Sequence, residues 1–349
     1  MKPRTTLIAG IACLLAAQLL ASFAIKPLRA TTEAAGETFT ALKPGEFAGT
    51  LLLGGFRGLA CDLLWMRASA AKDNRRFFES VALFQAISRI QPRFEQIWEY
   101  MSWDMAYNIA VEVDDPAGKF SWYLAGLDAN VRGCRRNPGS ERLLRHLAWM
   151  YHHKGDTFHD RVLAADWAPL LNPLIDELNQ RLGGVPLERL PVGPGRSNFD
   201  LSERIYRIAL RVAAHEHKRP PAFVRRMVPL AVEKDGNLRR NRGRHHEALL
   251  RYLDALDAWA EVRAWLAAPD RDQQDTDDKS LSRDSSERNE GRLRRKAASL
   301  ARELAPDAAS GESVVAALIG GRFADARTAI AVPGWQEVAR RGGIRWLDE

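Results

Sequence analysis

Helical periodicity dominates the hydrophobic pattern from about residue 47 to residue 168. Phe77, Val81, Phe84 and Ser88 recur on one side of a 3.6-residue repeat. Leu143, Leu144, Leu147, Ala148 and Tyr151 form a second stripe. Breakers separate the periodic segments at Asp73-Asn74, Gln91-Pro92, Asp114–Gly118, Asn137-Pro138-Gly139 and Gly155-Asp156. No alternating strand pattern is visible, so the expected class is all-α.

Beyond this domain (47–168) the pattern changes. Residues 169–200 are crowded with Pro and Gly, which predicts a domain boundary or a long surface loop. A second helical segment (201–267) follows, with helices near 201–217, 222–234 and 247–267. The basic stretch Asn237–His246 reads as a connection between the last two. In residues 268–291 Leu281 is the only large apolar residue after the opening Ala-Pro, which predicts a disordered linker. A small C-terminal helical region (292–349) ends the chain, its first helix near 292–304.

The N-terminus follows a different rule. Residues 7–25 carry no charge, and Lys2 and Arg4 precede them. As a helix that run is about 28 Å long, near the thickness of a bilayer core. It predicts a signal anchor or transmembrane helix (1–30), followed by a tether (31–46). A cleaved signal ending near Ala24 stays open as an alternative. Either reading exports the bulk of the chain. The expected location is the inner (cytoplasmic) membrane of a bacterial-type cell, single-pass, with the amino terminus cytoplasmic.

Composition adds limits. The 349 residues suffice for one large core or two smaller ones. A net charge of +7 is modest at this length and fits an ordinary solvated surface. The three cysteines, Cys13, Cys61 and Cys134, have neither zinc-motif nor disulfide-framework spacing, and at most Cys61 and Cys134 could pair.

Two stretches carry a family resemblance. In "HLAWMYHHKGD" the order Leu147-Ala148, Tyr151, Gly155 resembles the first helix of a tetratricopeptide repeat. In "RRFFESVALFQAISRIQP" the order Phe77, Ser80, Phe84, Pro92 resembles the second. Gly321, Phe323 and Ala326 repeat the junction near the C-terminus. The match has departures. Pro92 and Pro138 are 46 residues apart, against a family period of about 34. Gly126 fits a small position, but Asn130 stands where an aromatic is expected. The resemblance implies an array of helical hairpins, an α-solenoid, with a generic helical bundle as the alternative. It also implies a concave groove for extended peptides, lined by Arg142, Arg145, Trp149, His152 and His153, with Trp103 and Tyr107 from the preceding helix. Such a groove is basic and aromatic. Arg can hold a carboxylate through two hydrogen bonds and Trp offers a large rigid contact, so an acidic segment of a partner protein suits it. An ordinary solvated helix face is the plainer reading of the same residues.

Catalytic signals are weak. The histidines fall in clusters at 146/152/153/159, 215/217 and 245/246, and a metal-dependent envelope hydrolase is the rival reading. Adjacent His152 and His153 point about 100° apart on a helix, and no His-Glu-x-x-His spacing occurs, so solvent-facing histidines and no metal are expected. No nucleophile motif and no phosphate loop is present; "GPGRSN" lacks the lysine of one. The basic stretch 237–246 lacks interleaved aromatics, so no nucleic acid is expected. The reading is therefore a membrane-anchored protein-binding scaffold, not an enzyme, with no cofactor and no small-molecule substrate.

Overall fold

The computed structural model describes residues 57–155, 164–184, 186–190, 197–218, 222–268 and 281–340. The anchor, the tether, His159 and residues 269–280 of the 268–291 linker lie outside these residues. Among the described residues there are helices and no strand, so the fold is all-α. The chain divides into two compact units, Met1–Ala129 and Asn130–Glu349.

The first unit holds α1 (Arg57–Asp73), α2 (Phe77–Ile90), α3 (Glu95–Trp103) and the start of α4 (Pro116–Arg136). The rings of Trp65, Phe84 and Tyr100 meet pairwise at 5.3, 4.8 and 5.1 Å and join α1, α2 and α3. Trp98 is buried and donates from Nε1 to the Pro92 carbonyl at 2.9 Å, fixing the start of α3. Past Trp103 the helix widens into a π-helical segment, Asp104–Ile109, where the Ala110 amide donates to the Met105 carbonyl five residues back. Gly126 of α4 lies against this stretch. A Cβ there would come within 2.6 Å of the Ser102 carbonyl oxygen, so only glycine allows the approach.

The second unit contains α5 (Glu141–Gly155), α6 (Ala164–Leu182), α7 (Asn198–His215), α8 (Phe223–Asn241), α9 (His245–Ala267), α10 (Arg283–Leu304), α11 (Ala308–Ile319), α12 (Phe323–Ile330) and α13 (Pro333–Arg340). From α7 to α12 each helix packs on the next. Helix α5 packs along α7, on the far side of the Pro/Gly-rich stretch. That is why the division falls at Ala129, inside the expected 47–168 domain.

Three boundaries differ from expectation. The Pro/Gly-rich segment is helical to Leu182, because Leu171, Leu174, Ile175 and Leu178 form a buried stripe that outweighs the prolines. After it, Asn172 and Asn179 each exchange two hydrogen bonds with the backbone, at Leu190 and Leu187. The basic connection is largely the end of α8. Asp235, 1% exposed, accepts there from Arg239 Nε at 3.0 Å and from Arg251 Nε of α9 at 2.7 Å. Helix α10 begins at Arg283, not near 292. Leu281 is buried, and Ser282 and Ser285 form a reciprocal capping box. Buried Glu290 is neutralised by Arg263 at 2.7 Å and Arg294 at 2.5 Å.

Three helix corners are built alike: α1 to α2, α8 to α9, and α11 to α12. Each has a left-handed residue, Arg75 (φ 57°), Gly243 (φ 72°) or Gly321 (φ 75°). The arginine that follows caps the next helix and donates its amide five residues back: Arg76 to Ala71 at 2.8 Å, Arg244 to Arg239 at 2.9 Å, Arg322 to Ala317 at 2.8 Å. Four residues on stands a buried small residue, Ser80, Ala248 or Ala326. Four further stands a buried large one, Phe84, Tyr252 or Ile330.

Candidate partner-binding surface

Ser140 starts α5 by accepting the Leu143 amide at its hydroxyl, 3.2 Å. The stripe Leu143, Leu144, Leu147, Ala148 and Tyr151 is buried, as its spacing predicts. Ser202 of α7 donates to the Ala148 carbonyl at 2.8 Å and fixes the two helices in register. Met150 and His146 are buried as well. His146, at 7% exposure, is not the solvent-facing histidine expected. Burial, then the charges of Arg145 and Arg142, push its pKa down to about 4, so it is a neutral core residue at neutral pH.

What remains open on α5 is a narrow ridge. Arg142 and His153 are exposed, and half-buried Trp149 lies between them. The Trp149 ring stacks on His153 at 4.6 Å and 10°, which gives the ridge a flat, rigid platform. Arg145 and His152 flank it and are committed elsewhere. Arg145 donates to Glu141 at 2.8 Å and sits 5.7 Å from the Phe223 ring. His152 meets the Phe199 ring edge-on at 5.6 Å. Trp103 and Tyr107 belong to the first unit. There the π-helical segment brings their rings together at 4.6 Å, with Trp103 39% exposed.

The other candidates for chemistry are spread out. His246 Nε2 is 3.1 Å from the Ile330 carbonyl, and His215 pairs with Glu216 at 3.2 Å. Among the described residues no three His, Cys, Asp or Glu side chains converge as a metal ion would require. Cys61 and Cys134 are buried, free thiols. Burial pushes the Cys61 thiol pKa up, away from nucleophilic use. Cys134 donates to Asn130 Oδ1 at 3.4 Å, which gives that buried asparagine its role where an aromatic was expected.

Sequence reasoning missed the corner at 243–252. Its signal was the order left-handed residue, arginine, ring, small residue, large residue, already visible at 75–84 and 321–330. Compared with known proteins, the chain matches no family model and no curated sequence. Among the described residues no helix is long and apolar enough to cross a membrane.

Proposed function

We propose that the chain is a scaffold that holds a protein partner at a membrane, tethered by its N-terminal apolar run, with residues 26–349 outside the cytoplasm. In this reading the described helices form a tetratricopeptide-like hairpin array. Support for the array comes from the three corners built alike and from the sequential packing of α7 to α12. Stacked hairpins that each repeat a turn and a small-residue contact bury a continuous core and leave one set of helix faces for a ligand.

The observation that carries the binding role is the ridge of α5. On a helix otherwise largely buried, an Arg–Trp–His surface reaches solvent with its ring already stacked. Little side-chain entropy is lost when such a platform is covered. The exposed Arg142 guanidinium suits a carboxylate, and Trp149 supplies apolar contact beside it. The partner is thus an acidic segment or chain terminus of another protein. Trp103 and Tyr107 offer a second aromatic platform on the first unit.

The test is the double variant Arg142→Glu with Trp149→Ala in the full chain, with the partner captured by cross-linking in the native cell. Arg145 is a poor choice, because its contacts with Glu141 and Phe223 support the fold. Capture should fall sharply while the thermal midpoint moves by only a few degrees. Unchanged capture would remove the ridge from the account.

A further inference from the structure

Helix α1 is apolar on two opposite sides. Cys61, Ala68 and Ala71 are buried on the inner side, where α1 packs along α2. On the outer side Leu59, Leu63, Met66 and Ala70 stand in solvent, the three large ones 56, 55 and 60% exposed. A helix that is apolar all round is ordinarily covered all round. The outer row advances by four, three and four residues, the alternation of a coiled-coil seam. Leu59 and Met66 take one seam position (d), and Leu63 and Ala70 take the other (a). In the sequence the same steps run back through Phe56 and Leu52, which lie outside the described residues. Asp73, the last residue of α1, stands at the next seam position and ends the row.

The edges of the row carry opposite charges. Asp62 lies on one edge (g) and Arg67 on the other (e), five residues apart and both exposed. Among the described residues Asp62 is in no ion pair. Arg67 donates to Glu79 from Nε at 3.3 Å and from Nη2 at 3.1 Å. Its side chain is still 69% exposed, and Nη1 is left for a further acceptor. In a parallel pair of helices the g edge of each copy meets the e edge of the other, with g facing the e residue five positions further along. That places Asp62 of each copy against Arg67 of the other. In an antiparallel pair like edges meet, acid against acid and base against base. An anionic lipid surface suits the row less well, because Asp62 and Asp73 stand on the same exposed side.

We propose that the outer row of α1 is a self-association seam, on which a second copy of this chain docks its own α1 in parallel. Leu59, Leu63, Met66 and Ala70 meet their counterparts, and two Asp62–Arg67 pairs close the edges. The three large side chains offer on the order of 300 Å² of surface per copy, less than half of the roughly 800 Å² that one side of a stable interface buries. The pair is therefore weak: dilute chains are apart, and crowded ones associate. A parallel pair brings both chains in from the same end, which suits two copies anchored in one membrane. The seam itself rests neither on the scaffold reading nor on the α5 ridge.

The test is disulfide capture in the full-length chain carrying Cys13→Ser, expressed in the native cell and oxidised with a copper catalyst. Ala70→Cys adds a thiol to the seam without removing apolar surface, and in a parallel pair it meets its own counterpart. Phe78→Cys, at a position 82% exposed, is the control. A covalent dimer is expected from position 70, at least about tenfold above position 78. Asp62→Arg or Arg67→Asp, each added alone to the Ala70→Cys chain, should lower the yield about tenfold, because like charges then face each other on both edges. Coexpression of the two charge variants should restore it, since opposite charges meet again. Misfolding of either variant would not be rescued in this way. No dimer from position 70, equal yields from 70 and 78, or no recovery on coexpression would overturn the proposal. So would a thiol at position 70 that is shielded from a water-soluble maleimide yet forms no dimer, because lipid or the chain's own residues 1–56 would then cover the row.

Discussion

Among the described residues, six large hydrophobic side chains standing in solvent belong to the first unit: Leu59, Leu63, Met66, Phe78, Trp103 and Val111. The described part of the longer second unit has two, Ile319 and Val332. Buried acids show the opposite bias. The first unit buries Asp104, whereas the second buries Glu141, Asp200, Glu203, Glu233, Asp235 and Glu290. Both units are all-helical, so secondary structure does not explain the contrast. The first is joined by ring packing around Trp65, Phe84 and Tyr100, which tolerates sliding. The second is joined by ion pairs that work in one register, such as Arg251 reaching Asp235 on α8 and Glu233 reaching Arg292 and Lys296 on α10. Paired burial makes helix order specific; it adds less to net stability than the number of pairs suggests.

The hardest test of that contrast is to remove one buried acid from the second unit. Asp235→Ala removes the buried carboxylate that Arg239 and Arg251 share, leaving Arg239 with Glu247 and Arg251 with Asp200, Glu203 and Asp254, and Ser197 loses its acceptor at 2.5 Å. A loss of about 3–5 kcal/mol in chemical denaturation is expected. A loss below about 1 kcal/mol would mean that the network is ornamental.

A second effect is pH dependence in the unit that holds His146. Its folded pKa lies below the ordinary value, at about 4, so protonation favours the unfolded chain. Its contribution is fully present above about pH 6.5 and is lost as pH falls toward 4, on the order of 3 kcal/mol across that window. Denaturation midpoints at several pH values measure it, and His146→Leu should flatten the curve between those limits.

Smaller effects belong to the first unit. Gly126→Ala forces a methyl into the Ser102 carbonyl and should cost about 1–3 kcal/mol. Leu63→Gln, on the exposed side of α1, should change the stability of dilute protein by less than about 0.5 kcal/mol. If Leu63→Gln proves strongly destabilising there, that face is covered within the single chain and the contrast between the units fails.

Periodicity made the class legible, as well as the buried stripe of α5 and the breaks at Asp73-Asn74 and Asn137–Gly139. It failed where charge hides packing. The residues around Leu281 and Glu290 read as linker because ion pairing of a buried carboxylate leaves no apolar signature. The 169–182 prolines read as loop because a stripe of four aliphatic residues was outvoted by composition. Of the candidate site, the repeat resemblance put Arg142, Trp149 and His153 on the outward side of α5, and the structure leaves Arg142 and His153 exposed and Trp149 half-buried. The capture of Arg145 by Glu141 and Phe223, and of His152 by Phe199, depends on neighbours that α5 alone does not reveal.

The most direct measurement for the scaffold claim is site-specific photo-cross-linking in the native cell. A photoreactive residue replaces His153 on the ridge in one sample and exposed Arg322 in another. A discrete protein adduct is predicted from position 153 alone, and it should disappear when Arg142→Glu is added to the same chain. Adducts of equal yield from both positions, or an adduct at 153 indifferent to Arg142→Glu, would contradict the account.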